Sequence, residues 1–196
     1  MKQLVIASNN AGKIREIKAL LPNVDLLSLT DIGFTEEIPE PFDTFRENAQ
    51  TKAETIHRFC GLNVFADDSG ICVDALGGAP GVFSARYAGE PKDDQRNLQK
   101  VLDEIKDAAN RNAHYTAVIC LVWEGRTCFF EGECHGRLID TPRGTDGFGY
   151  DPAFVPDGYE QTFAELPLDV KNSISHRGRA VRAMVEFLNE TANVKP

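Results

Sequence analysis

Residues 4–7 form a short apolar run, Leu4-Val5-Ile6-Ala7, and directly after it Ile14, Ile17 and Leu21 recur at helical spacing until Pro22 stops the pattern. A buried strand followed by an amphipathic helix over residues 13–21 fits both periods. Residues 24–29 predict a second strand. Residues 30–43, with Gly33, Pro39 and Pro41, predict a loop long enough to suggest a functional role. Thr44-Phe45-Arg46-Glu47 is a capping box, which opens a helix running to about Cys60. A third apolar run at residues 64–66 is followed by another at 71–73, a turn-rich segment at 77–81 and a polar helix near 94–106. Residues 115–123 and 127–134 flank Glu124-Gly125-Arg126 and predict an antiparallel hairpin. The last helix begins near Ser175 and carries Val181, Met184, Val185 and Leu188 on one face. Helices between early strands and a later hairpin predict an α/β protein with a central mixed β-sheet flanked by helices.

The chemistry is concentrated in four clusters. Ala66-Asp67-Asp68-Ser69-Gly70 follows the third apolar run. Neighbouring side chains on a strand point to opposite faces, so two adjacent carboxylates share one site only where the strand ends and the backbone turns, as Gly70 permits. Such a pair suits a hard cation such as Mg2+ and the activation of a water; a solvated turn has the same composition. Ser8-Asn9-Asn10-Ala11-Gly12-Lys13 joins the first strand to the first helix and offers backbone N–H groups, a hydroxyl, two carboxamides and an ammonium to phosphate oxygens. It is not a Walker A loop, and an Asn cap beside a solvated lysine is the plainer alternative. No GxGxxG segment supports a dinucleotide site.

Lys171-Asn172-Ser173-Ile174-Ser175-His176-Arg177-Gly178 places cationic groups at the start of the final helix, against the positive end of its dipole. A bound anion would remove that conflict; a solvated basic turn is the other reading. Gly147-Phe148-Gly149-Tyr150-Asp151-Pro152-Ala153-Phe154 sets aromatics among glycines before an acid, a pattern that serves a planar base or simply fills a core. His57, His114 and His135 show no metal spacing.

A chain of 196 residues with 42% apolar content fits one compact domain with a full core. The net charge of −9 argues against an extended nucleic-acid or anionic-membrane surface, so a polyanionic substrate has to be small and met by local cations. Five cysteines without a CxxC pair favour reduced thiols and a cytoplasmic setting, and neither a secretion signal in the opening residues nor a run of eighteen apolar residues is present.

These clusters are the parts of a nucleotide-hydrolysing site, and the sequence resembles the inosine triphosphate pyrophosphatase family over essentially its whole length. The resemblance is carried by Ser8-Asn9-Asn10 with Gly12-Lys13, Glu47-Asn48-Ala49 with Lys52-Ala53, residues 66–70, Gly77-Gly78-Ala79-Pro80-Gly81 with Ser84-Ala85-Arg86-Tyr87, residues 147–152, and Ser175-His176-Arg177-Gly178. It implies a single domain over residues 1–196, two-lobed with the active-site cleft between lobes. It also implies Mg2+-dependent cleavage of ITP, dITP or XTP to the monophosphate and pyrophosphate, commonly by a homodimer. By resemblance Asp68 is general base and metal ligand, with Asp67 and, from the preceding loop, Glu40 as further ligands. Ser8, Asn9, Asn10, Ala11, Gly12, Lys13 and Lys52 would hold the triphosphate, with Ser69 nearby. Phe148, Gly149, Tyr150, Asp151, Lys171, His176 and Arg177 would surround base and sugar. Asn9 stands where many relatives have glycine. A pyrophosphatase for modified pyrimidines and a non-catalytic nucleotide sensor are the alternatives.

Overall fold

The computed structural model describes residues 3–193; Met1 and Lys2, the head of the opening stretch read above, lie outside them. Six strands form one mixed sheet in the order β2-β1-β3-β4-β5-β6: β1 is Leu4–Ile6, β2 Leu26–Leu27, β3 Asn63–Val73, β4 Asn112–Trp123, β5 Arg126–Leu138 and β6 Phe154–Pro156. β1 runs parallel to both β2 and β3, with Val5 opposite Leu27 and Val64, whereas β6 is antiparallel to β5. The helices are α1 (Ala11–Leu20), α2 (Phe45–Cys60), α3 (Asp94–Glu104), α4 (Leu168–Ile174) and α5 (His176–Asn193). None of the described helices is long and apolar enough to cross a membrane.

Local chemistry sets the boundaries. Thr44 caps α2, its hydroxyl accepting the Glu47 N–H at 3.2 Å, and Gly61 ends the helix in the left-handed region at φ 70°. Asn10 and Asp93 cap α1 and α3 in the same way. The turn between β4 and β5 is Glu124-Gly125, both at positive φ, the two-residue geometry that matches strand twist and joins only antiparallel neighbours. The second strand is far shorter than residues 24–29. Asp31 accepts both the N–H and the hydroxyl of Ser28, and that local turn takes the chain out of the sheet after Leu27.

The chain divides into two compact units, residues 1–68, 117–132 and 177–196, and residues 69–116 and 133–176. The first has a core on each face of its strands. On one face Leu4, Ile6 and Phe65 pack with Ile17 of α1 and Ala180, Val181 and Met184 of α5; on the other Val5, Val64 and Ala66 pack with Ala49, Ala53 and Ile56 of α2. The second unit gathers Ile71, Val73, Leu98, Val101, Tyr115, Tyr150, Phe154 and Phe163 into one core.

The expected turn at Gly70 is absent: β3 runs unbroken from Asn63 to Val73. Gly70 answers a different requirement, because a Cβ there would overlap the Gly81 carbonyl and the Ser84 hydroxyl of the 3-10 turn Gly81–Arg86. The apolar runs at 64–66 and 71–73 are therefore one strand with the acidic doublet in its middle.

Candidate active site

Strand alternation separates the two carboxylates of the doublet. Asp68 shares a face with Val64 and Ala66, the face covered by α2. On α2, Lys52 precedes Ala53, and its Nζ donates to Asp68 Oδ1 at 2.8 Å, to Glu40 Oε1 at 2.7 Å and to the Asp67 carbonyl at 3.0 Å. Glu40 arrives from the loop 30–43 between β2 and α2, while Glu36 and Glu37 are exposed. The Asp68 Oδ2 atom is buried and has no hydrogen-bond partner. Burial pushes the Asp68 carboxyl above its ordinary range, against the pull of the Lys52 and Lys13 ammonium groups. For Lys52 burial acts downward, but the Asp68 and Glu40 carboxylates outweigh it and raise its pKa.

Asp67 faces the opposite side, with Phe65. Its Oδ2 meets Lys13 Nζ at 3.1 Å and Arg177 Nε at 3.2 Å, and Arg177 continues through Nη1 to Glu16. Glu16, Asp67 and Arg177 are all fully buried. Burial disfavours the charged Asp67, yet Lys13 and Arg177 prevail and hold its carboxyl far below the usual range. Lys13, whose own pKa is lowered chiefly by burial, also reaches the Asp67 carbonyl at 3.4 Å. That carbonyl is thus the point where the two lysines meet, one from each face of β3.

The Ser8–Asn10 turn leads into α1. Asn10 caps the helix by accepting the Lys13 N–H at 2.9 Å, and Ser8 Oγ accepts the Asn10 N–H at 3.2 Å. Asn9, Asn10 and Ala11 are exposed, while Ser8, Gly12 and Lys13 are half-buried. The cap read from sequence is present, but the lysine beside it is committed to a buried acid.

In the second unit the loop after Gly147 closes on Asp151. The Asp151 carboxylate accepts Lys171 Nζ at 2.6 Å, the Phe148 N–H at 2.9 Å and the Tyr115 hydroxyl at 3.4 Å. Gly147, at φ 78°, has no room for a Cβ against that carboxylate. The Tyr150 ring lies in the core and its hydroxyl donates to the Ser84 carbonyl at 2.7 Å, so it anchors the loop. Phe148 stays half-buried, its ring 5.3 Å from the Lys171 ammonium. His176 lies flat on Tyr115, ring centroids 4.6 Å apart at 8°. Ser69 is the half-buried residue of β3 that opens this unit.

Three readings change. The doublet does not present two carboxylates to one place, because the strand continues and only Asp68 joins Glu40. Arg177 does not accompany His176: consecutive helical residues diverge by roughly 100°, and the Arg177 side chain runs to Asp67 and Glu16. The charge conflict at the start of α5 is met by the protein's own acids, Asp67 and Glu16 for Arg177, and Asp151 for Lys171 of α4. Glu16 and Tyr115 were not singled out by sequence. The signal was an acid beside Ile17 on the apolar stripe of α1, and a tyrosine at an inward position of β4.

Among the described residues no group of three or more His, Cys, Asp or Glu side chains is arranged to hold a metal. Glu40 and Asp68 with its unpartnered oxygen supply two hard donors, a chemistry that fits a divalent cation.

The Ham1 family model matches residues 4–187. The dITP/XTP pyrophosphatase of Flavobacterium johnsoniae is 47% identical over 190 residues, 96% of this chain and 99% of its own. That of Bacillus licheniformis is 47% identical over 195 residues, covering 97% of this chain and 100% of its own. The Staphylococcus aureus Ham1 protein superposes with a TM-score of 0.88 at 38% identity, over 97% of this chain and 100% of the other.

Proposed function

The chain belongs to the Ham1 family, and from that premise we propose that it hydrolyses non-standard purine nucleoside triphosphates, dITP, ITP and XTP, to the monophosphate and pyrophosphate. Relatives 47% identical over nearly the full chain carry the name dITP/XTP pyrophosphatase. The observation that carries the chemistry is the buried Asp68, with one oxygen on Lys52 and the other without a partner.

In the proposed reaction Asp68 takes a proton from water as the water oxygen bonds to the α-phosphorus. The bond from that phosphorus to the α–β bridging oxygen breaks, and its electron pair leaves with pyrophosphate. Lys13 and Lys52 oppose the charge that builds on the leaving group, which favours the transition state over the ground state. Glu40 and Asp68 would hold Mg2+, whose charge, when bound, would further stabilise the departing pyrophosphate. Asp67 acts through its carbonyl, which orients both lysines, and through its ion pairs. The exposed N-terminus of α1 with Ser8, Asn9 and Asn10 offers donors to the remaining phosphate oxygens.

The base is assigned to the residues around Asp151. Phe148 offers a ring face, and Lys171 and His176 offer donors to a 6-keto oxygen that a 6-amino group could not satisfy. Each donor left unpaired costs about 1–3 kcal/mol, so two or three such contacts exclude ATP. The family resemblance extends the reading to a homodimer working in the cytoplasm.

Phosphorus NMR of the protein with Mg2+ and, in turn, ITP, dITP, XTP, GTP, ATP and dUTP tests the proposal. Pyrophosphate from the first three, with GTP, ATP and dUTP spared, is the expected result. Orthophosphate as the first product, or preferential cleavage of dUTP, would overturn it.

A further inference from the structure

The loop that holds Phe148 is flanked by Gly147 at φ 78° and Gly149 at φ 60°, the residue type with the widest backbone freedom. A ring meant to meet a base in one orientation needs its peptide groups fixed from outside. One tie belongs to the loop itself, Asp151 accepting the Phe148 N–H. The next N–H, that of Gly149, donates at 2.8 Å to Oδ2 of Asp94, in the first turn of α3 and 55 residues away in sequence.

α3 is capped by Asp93, whose Oδ1 accepts the Arg96 N–H at 2.9 Å, so Asp94 is not the cap. α3 is itself a firm support. Asn97, fully buried, bonds the Ala88 N–H at 2.7 Å and the Ala85 carbonyl at 3.1 Å, and the segment it grips directly follows Ser84, whose carbonyl receives the Tyr150 hydroxyl. The Phe148-Gly149 unit is therefore pinned by carboxylates on two consecutive N–H groups, Asp151 from within and Asp94 from a separate helix.

We propose that Asp94 is a positioning residue for nucleobase recognition: by binding the Gly149 N–H it fixes the Phe148 ring above Lys171 and tunes base affinity and selectivity without touching the reacting phosphate. The proposal rests on the function given above. Because base contacts are remote from the breaking bond, losing the tie weakens binding more than turnover.

The test compares wild type with D94A, D94N and D93A in ITP and ATP kinetics and in amide hydrogen exchange of Gly149. D94A is expected to lose Gly149 protection, to raise KM for ITP about five- to tenfold with kcat within about twofold, and to narrow the ITP-to-ATP preference. D94N keeps an acceptor oxygen and is expected to restore most of the protection and KM. D93A removes the helix cap instead; it is expected to lower stability and leave KM unchanged, which separates positioning from general support of α3. Wild-type protection, KM and selectivity in D94A would overturn the proposal while leaving the function intact, whereas wild-type protein that fails to cleave ITP would overturn both.

Discussion

Two neighbouring aspartates on one strand do opposite work because their carboxylates leave the backbone in opposite directions. Asp67 is locked between half-buried Lys13 and buried Arg177, and removing its charge takes a carboxylate from both cations, leaving Glu16 to Arg177. D67N is therefore expected to cost about 3–5 kcal/mol, read as a lower denaturant midpoint. Asp68 carries the reverse balance, since burial already penalises its charged form. D68N is expected to unfold at the wild-type midpoint or above it, while ITP turnover falls by about 10²–10⁴. Wild-type-like rates in D68N would sink its assignment as base. Asp68 and Lys13 stand in clusters that the residues themselves mark, beside an apolar run and at a helix start, whereas Glu40 and Lys52 enter only through the family resemblance. Their division between two faces was not, since the doublet reads as a strand end until the length of β3 is known. The partners of Arg177 are hidden for a related reason: a cation at a helix start invites an anion, and sequence does not show that Asp67 and Glu16 already supply it.

At the level of elements, capping and periodicity carried the reading and glycine misled it. The helix opening at Thr44, the α5 stripe of Val181, Met184, Val185 and Leu188, and the hairpin are all present because each signal is local, although the hairpin strands, Asn112–Trp123 and Arg126–Leu138, outrun the 115–123 and 127–134 expected and its turn is Glu124-Gly125 alone. The strand expected at 24–29 shrinks to Leu26–Leu27, since the side chain of Asp31 competes for the backbone. Gly70 has a non-local cause: the turn Gly81–Arg86 presses its Gly81 carbonyl and Ser84 hydroxyl onto the strand. A turn glycine and a close-approach glycine look alike in sequence and differ in response to a methyl group. G70A is expected to destabilise by about 1–3 kcal/mol through overpacking, and to disturb Ser84, which bonds the Ile71 N–H and, through its carbonyl, Tyr150. Equilibrium unfolding of G70A beside S84A checks this. An unchanged midpoint in G70A would mean that the turn yields freely to the added methyl.

For the whole molecule the decisive quantity is where positive charge is left over. The chain has net charge −9 and a sequence pI near 4.9, yet its proposed substrate is a polyanion. Lys13, Lys52, Lys171 and Arg177 each bind a carboxylate of the protein, so these four cations are held in small, largely neutralised groups. Such clusters can meet one triphosphate carrying its own divalent cation, but they have no array of free charge with which to release counterions from a polymer. Double-stranded DNA in about tenfold mass excess over ITP is accordingly expected to leave ITP hydrolysis within about twofold of its rate, even at low salt where polymer binding is strongest. Inorganic triphosphate is expected to compete with ITP under the same conditions, because it presents the same phosphate chain to Lys13 and Lys52. Inhibition by DNA that vanishes between about 50 and 200 mM salt would instead reveal an extended cationic surface, and the substrate class would have to be widened from nucleotides to nucleic acid ends.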